Sequence, residues 1–436
     1  MQPLLIRGGT VVNSERSFKA DVLVIEGKIA MVDESIPVEP RYEVLDAGDL
    51  LVMPGVFDPQ VHFRDPGFEH KEDLESGSRA AAAGGVTSFL EMPNTVPNTI
   101  DLESMSLKKE TAKKKSWVNY NFFIGATGEN FAEINSVPNV CGIKIFMGSS
   151  TGNLLVDDPE KLERIFANGK RLIAVHAEDE VILNQNKKEH QGTTDANMHP
   201  VIRSVEAALS ATKLAVGLAK KYKRRLHILH LTTADEVQYL AKEKAPYISS
   251  EVCPQHFMLH AEECYDQLGT LAQMNPPIRA KLHGDGLRAG LKSGIIDCIA
   301  TDHSPHTLEE KQQPYGKAPS GMPGVETSLP LMLNEAANGF CSYNELVKWM
   351  CEMPARLYQA NDKGRVEAGY DADIVLVDKD KQDKITNQNL QCKVKWSAFN
   401  GKEITGWPVT TIVNGNIVYH QGNLREPAGK EIIIYS

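Results

Sequence analysis

The chain has 436 residues, 42% hydrophobic and 24% charged, which allows one large core and a smaller unit beside it. A net charge of −10 leaves no basic excess to neutralise phosphates and excludes a general nucleic-acid binder; Lys113-Lys114-Lys115 reads as a solvated helix end. Seven scattered cysteines without C-x-x-C spacing, a start without signal-peptide order and no apolar run near ~18 residues fit a soluble cytoplasmic protein with free thiols.

Residues 1–53 alternate short apolar segments with turn residues, as in Leu4-Leu5-Ile6-Arg7 before Gly8-Gly9 and Asp21-Val22-Leu23-Val24-Ile25 before Glu26-Gly27. This is the pattern of a β-meander. From 54 to 365 apolar strands alternate with helical stretches. Eight strands are predicted, at 55–61, 86–92, 118–126, 142–147, 171–175, 225–229, 247–252 and 295–301. A helix is predicted over 71–83, acidic in its first turn and stopped by Gly84-Gly85. Eight such units predict an α/β chain folded as a (β/α)8 TIM-like barrel, with an open doubly wound sheet as the alternative. Residues 366–436 return to short strands, with a hairpin signal at Asn414-Gly415. Neither terminal piece closes a sandwich alone, so the two are expected to pair as one small β-sandwich domain.

The polar residues fall at strand C-terminal ends, which in a barrel converge on one face. His62, His176, His230 and Asp302 each lie within a residue or two of such an end. Imidazole and carboxylate suit zinc and similar divalent ions. Each alone also reads as a hydrogen-bonded bystander; four at one topological position is a rarer coincidence. His227, three residues before His230, is expected on the other face of its strand, as a structural or supporting residue. Lys144 lies inside strand four, where a buried cation is costly, so it either has a carboxylate partner or loses its charge. A carboxylate at Asp302, beside a metal, can take a proton from water and later deliver it to a leaving nitrogen. Arg64, two residues past His62, together with Asn94, Asn275 and His306 after strands two, seven and eight, forms a candidate clamp for a substrate carboxylate. A surface ion pair of Arg64 with Asp65 or Glu69 is the plainer alternative.

These motifs, in this order, resemble the dihydroorotases of the amidohydrolase superfamily over nearly the whole chain. The resemblance is carried by 58–67, Met92-Pro93-Asn94-Thr95, Ile143-Lys144-Ile145-Phe146, Val175-His176-Ala177-Glu178, His227-Ile228-Leu229-His230, Asn275-Pro276-Pro277-Ile278-Arg279 and Asp302-His303-Ser304-Pro305-His306, followed by Gly321–Thr327 and Gly369-Tyr370-Asp371-Ala372-Asp373. It implies interconversion of dihydroorotate and N-carbamoyl-aspartate in pyrimidine synthesis. It implies zinc held by His62, carboxylated Lys144, His176, His230 and Asp302, with Lys144 bridging two ions and Asp302 as general base. Arg64, Asn94 and His306 would bind the substrate carboxylate, Asn275 would contact the ring, and the loop 148–152 would close on substrate. Arg64 separates this group from hydantoinases and allantoinases. A homodimer is the family habit. Two positions depart from the pattern: Gln60 and Gln255 stand where the family has histidines. An amide oxygen is a poorer zinc ligand than imidazole, so the metal at residue 60, His62 and Asp302 is expected to be weak or absent. That departure also fits a second reading, a non-catalytic subunit that scaffolds aspartate transcarbamoylase.

Overall fold

The structure is a computed structural model describing residues 2–149 and 154–435. Five strands open the chain: β1 (Leu4–Val12), β2 (Ser17–Ile25), β3 (Lys28–Asp33), β4 (Glu43–Asp46) and β5 (Leu51–Pro54). Eight alternate with helices: β6 (Val56–Val61), β7 (Val86–Glu91), β8 (Asn119–Gly125), β9 (Gly142–Phe146), β10 (Ile173–His176), β11 (Leu226–Ile228), β12 (Ile248–Val252) and β13 (Cys298–Ile299). Four close it: β14 (Ile374–Lys384), β15 (Glu403–Val413), β16 (Asn416–His420) and β17 (Asn423–Leu424).

Strands β6 to β13 pair in chain order, each parallel to the next, so all eight predicted strands are present in a TIM-like barrel. Side-chain alternation gives this layer two apolar faces. Ile143, Ile145, Val175 and Ile228 pack outward on helix residues such as Leu162, Ala215 and Leu240. Phe123, Ala174 and Leu229 fill the interior with Tyr358 and Ile432.

Strand β13 is only two residues long, much shorter than predicted, so side chains and loop backbone close the ring. The His62 N–H donates to the His303 carbonyl at 2.7 Å, and Val61 bridges His303. Asp58 accepts the Thr301 N–H at 3.1 Å and the Thr301 hydroxyl at 2.5 Å. Burial pushes the Asp58 carboxyl up to about 7, against the pull of the Thr301 donors.

The helix predicted from 71 begins at Leu74, because Asp73 caps it: the Asp73 side chain takes the Ser76 N–H and Ser76 answers on the Asp73 backbone. The terminal strands form one nine-stranded sheet joining both chain ends, with β5 beside β14. Asn414 and Gly415 both have positive φ, 48° and 78°, as a two-residue hairpin of the favoured twist requires. Strands β5 and β14 are two-faced. Val52, Ile374 and Leu376 enter the core of the terminal sheet, whereas Leu51, Met53, Val375 and Val377 pack into the barrel's outer core. Beyond β17 the chain leaves this sheet: the Ile432 N–H donates to the Tyr120 carbonyl at 2.8 Å, and Ile432 sits among the barrel-interior residues. No helix among the described residues is long and apolar enough to cross a membrane.

Glu326 is half-buried where the barrel meets the excursion between β14 and β15, accepting the Gln391 N–H at 2.8 and 2.9 Å and the Cys392 N–H at 3.2 Å. Burial raises its carboxyl from 4.5 to about 8, with those backbone donors opposing. The folded chain then keeps a proton that the unfolded chain releases, so this group's contribution to stability is full below about pH 4.5 and is lost as pH rises to about 8. Glu326→Gln should therefore flatten the decline in Tm across that window by a few degrees relative to the parent. An unchanged slope in the variant would place the titrating group elsewhere.

Candidate metal centre and active site

Gln60, His62, Lys144, His176, His230 and Asp302 line one cleft at the C-terminal rim of the barrel, with Asn275 and Ser304 beside them. They come from β6, β9 and β10 and from the ends of β11 and β13. Three candidate residues have left-handed backbone: Arg64 (φ 65°), His230 (φ 35°) and Asp302 (φ 46°). That conformation costs a non-glycine residue about 1–3 kcal/mol and is characteristic of functional sites.

His176 and His230 meet ring to ring, with Nδ1 of the first 3.1 Å from Nε2 of the second. The Glu178 carboxylate can only accept, so at 2.8 Å it takes the Nε2–H of His176 and leaves Nδ1 as a lone pair aimed at His230. Burial lowers both imidazole pKa values, favouring the neutral form that a metal requires. Burial alone would raise the Glu178 carboxyl, but Arg203 and the His176 N–H overcome it and hold it well below the usual range. Lys144 lies beside the pair with its ammonium 4.4 Å from the Phe146 ring centroid, and among the described residues it has no ion-pair partner. The carboxylate-partner alternative for Lys144 is therefore not realised. Burial brings its amine down to about 7, so the neutral amine that could take up carbon dioxide is accessible near neutral pH. Two neutral imidazoles and such an amine, converging on one cleft, fit a divalent ion.

The opposite wall is built differently. Asn94 accepts the Nδ1–H of His62 at 2.7 Å, which turns Nε2 toward Asp302, 3.1 Å away. Gln60 donates its side-chain amide N–H to the same Asp302 oxygen at 3.0 Å, while its own carbonyl oxygen is buried with no partner. Gln60 thus acts toward Asp302 as a donor, the reverse of what a ligand does. One imidazole and a carboxylate already engaged by an amide fit a metal less well than the His176 side does. Gln255 does not line the cleft; its side chain donates to the Thr301 carbonyl at 2.7 Å and ties β12 to the end of β13.

Arg64 is 4% exposed. Its Nη2 donates to Ser304 Oγ at 2.8 Å and its Nε to the Pro305 carbonyl at 3.2 Å; no carboxylate reaches it among the described residues. The surface-pair alternative is not what forms, since Asp65 pairs with Lys115 at 2.8 Å. Burial lowers the guanidinium pKa to about 10, so it stays charged at neutral pH. His306 stands behind it, its Nε2 3.1 Å from Nη2 and its Nδ1 accepting an N–H of the Lys71 ammonium at 3.1 Å. Burial first, and then Arg64, drives His306 down to about 3, so it is neutral. Asn275 is held by His199, whose Nε2 lies 3.1 Å from the Asn275 side-chain oxygen and 2.9 Å from the Met274 carbonyl.

Sequence reasoning missed His199, Glu178, Arg203 and the Asp58 latch; only Glu178, two residues past His176, carried a local signal. His227, expected on the other face of its strand from His230, faces the barrel interior instead. It bonds Ser249 at 2.8 Å and Glu251 at 3.0 Å, and its ring packs on Tyr358. His227, Glu251 and Cys298 bring ligand-competent atoms within 4.8 Å of one another, but that imidazole already has a partner on each nitrogen. Of the expected loop, Ser150, Thr151 and Gly152 lie outside the described residues.

Residues 51–418 match the amidohydrolase family. A dihydroorotase of Methanosarcina acetivorans is 33% identical over 426 residues, covering 94% of this chain and 91% of that protein. An allantoinase of Streptomyces avermitilis is also 33% identical, over 439 residues and 98% of each chain. Among solved structures, L-hydantoinase (dihydropyrimidinase) from Arthrobacter aurescens superposes with a TM-score of 0.95 at 30% identity, covering 99% of this chain and all of that one. Agreement in both sequence and fold along almost the entire length means that the chain belongs to the amidohydrolase family.

Proposed function

We propose that the chain interconverts dihydroorotate and N-carbamoyl-aspartate, a step of pyrimidine synthesis, using one tightly held zinc. The observation that carries the substrate is Arg64: a buried guanidinium hydrogen-bonded to neutral groups only, with no carboxylate within ion-pair reach among the described residues. Leaving such a charge buried and unpaired is costly, so a carboxylate-bearing ligand is its natural complement. The allantoinase and hydantoinase relatives make the substrate the point at issue, because the fold and cleft suit cyclic amides in general.

Lys144, His176 and His230 would hold the zinc, with Lys144 carboxylated. Zinc there would polarise the amide carbonyl and make hydroxide available near neutral pH. Asp302 takes the proton of the attacking water and returns it to the ring nitrogen as the C–N bond breaks. Gln60 fixes one Asp302 oxygen through its amide N–H and so orients the carboxylate for that transfer. Arg64 and Ser304 hold the substrate carboxylate, and Asn275, backed by His199, meets the ring.

Turnover of dihydroorotate, measured with zinc content on the same sample, tests this. About one zinc per chain together with turnover is the expected result. Folded, metal-free, inactive protein would favour the scaffold reading, which Gln60 by itself supports. Gln60→His should raise zinc toward two per chain, since an imidazole replaces an amide turned the wrong way. Unchanged occupancy in that variant would remove residue 60 from the metal question.

A further inference from the structure

We infer that Glu178 and Arg203 form a positioning unit that fixes the His176 imidazole and seats Ser149 with the same guanidinium. The inference deepens the proposed function, because it takes His176 as a zinc ligand. Glu178 is fully buried and Arg203 is 5% exposed. The Glu178 carboxylate accepts the His176 Nε2–H at 2.8 Å and the Arg203 Nε–H at 3.0 and 3.1 Å, and it also contacts Arg203 Nη2. The same Nη2 donates to the Ser149 carbonyl at 2.9 Å. Ser149 is gripped from its other side by Glu180, which accepts its N–H at 2.5 Å and its hydroxyl at 3.0 Å. Arg203 is itself held, because Arg279 Nη1 donates to the Arg203 carbonyl at 2.8 Å while Arg279 Nε donates to Thr232 at 3.0 Å. The backbone runs close here: a Cβ on Gly148 would lie 2.5 Å from the Glu178 carbonyl oxygen.

The consequence follows from donor and acceptor counting. An ionised carboxylate offers only lone pairs, so while Glu178 stays charged, His176 keeps its proton on Nε2 and its lone pair on Nδ1 toward His230. A buried carboxylate keeps its charge only with a cation alongside, and Arg203 is that cation. The planar guanidinium reaches Glu178 and the Ser149 carbonyl at once; a lysine ammonium supplies the charge from a single point. Arg203 therefore sets both the metal-facing nitrogen at the end of β10 and the start of the loop after β9, without touching substrate itself.

The test uses the full chain and the substitutions Arg203→Met and Arg203→Lys. Imidazole ¹⁵N shifts of labelled histidine report the His176 tautomer with no need for metal or turnover. The parent should show Nε2–H alone. Arg203→Met should give a mixed tautomer and a loss of zinc retention against a chelator of ~10–100-fold. Arg203→Lys should restore the tautomer and most of the zinc retention, yet speed amide hydrogen exchange at Ser149 about tenfold because the Ser149 carbonyl has lost its donor. An unchanged tautomer in Arg203→Met overturns the inference, as does an Arg203→Lys variant that matches Arg203→Met in every readout. Should Arg203→Met fail to fold, Glu178→Met, which removes the acceptor altogether, takes its place, and a pure Nε2–H tautomer there would overturn it equally. A parent protein that neither binds zinc nor turns over dihydroorotate would defeat the proposed function while the tautomer still decides this inference.

Discussion

Arg64→Met should raise KM for N-carbamoyl-aspartate by about 100-fold or more, the loss expected for a buried charge-assisted pair with a carboxylate. The fold should survive, because the partners the guanidinium leaves behind are neutral: Ser304 Oγ at 2.8 Å and the Pro305 carbonyl at 3.2 Å. Removing an unpaired buried cation also removes a desolvation cost, so Tm should hold or rise slightly. The effect should belong to substrates bearing a carboxylate. A neutral cyclic amide such as hydantoin should show no comparable penalty, and an equal loss on both would mean that Arg64 shapes the cleft instead of reading the acid. Arg64→Lys should recover little of the loss, because the planar fork that spans Ser304 and the incoming carboxylate is absent.

Asp302→Asn should lower kcat by about 10²–10⁴-fold with a much smaller change in KM, the range typical of removing a general base. The substitution keeps an oxygen to accept the Gln60 N–H at its present 3.0 Å separation, so the wall of the cleft should hold its shape. Because His176, His230 and Lys144 lie on the other side, zinc should remain near the parent's level even though turnover is lost. Loss of metal in proportion to activity would instead make Asp302 an indispensable ligand and would revise the division of labour between the two walls. Metal analysis beside steady-state kinetics on the one variant separates these outcomes.

Much of this was legible beforehand for a local reason. Strand periodicity and the position of a residue relative to a strand end are carried by neighbours in sequence, so the eight barrel strands and His62, His176, His230 and Asp302 could be found from the chain alone. So could the Asn414-Gly415 hairpin, whose two positive φ values are a property of those two residues. Element ends were less legible where a distant partner decided them. Past the short β13, closure falls to Asp58 and His62, about 240 residues earlier, which meet the Thr301 N–H and the His303 carbonyl. The helix expected from residue 71 starts at 74 because a side-chain cap, not the acidic composition, determines where it begins.

The sequence by itself determined which chemical groups reach the barrel rim and that two histidines of the family pattern, at 60 and 255, are glutamines. Only the tertiary structure decided how those groups face one another. Gln60 gives its N–H to a carboxylate 242 residues away, Arg64 is buried among neutral acceptors 240 or more residues away, and Arg203 joins two loops that share no sequence neighbourhood. The physical reason is that hydrogen-bond direction and charge pairing depend on which acceptor the fold delivers to within ~3 Å, and no local pattern encodes that distance.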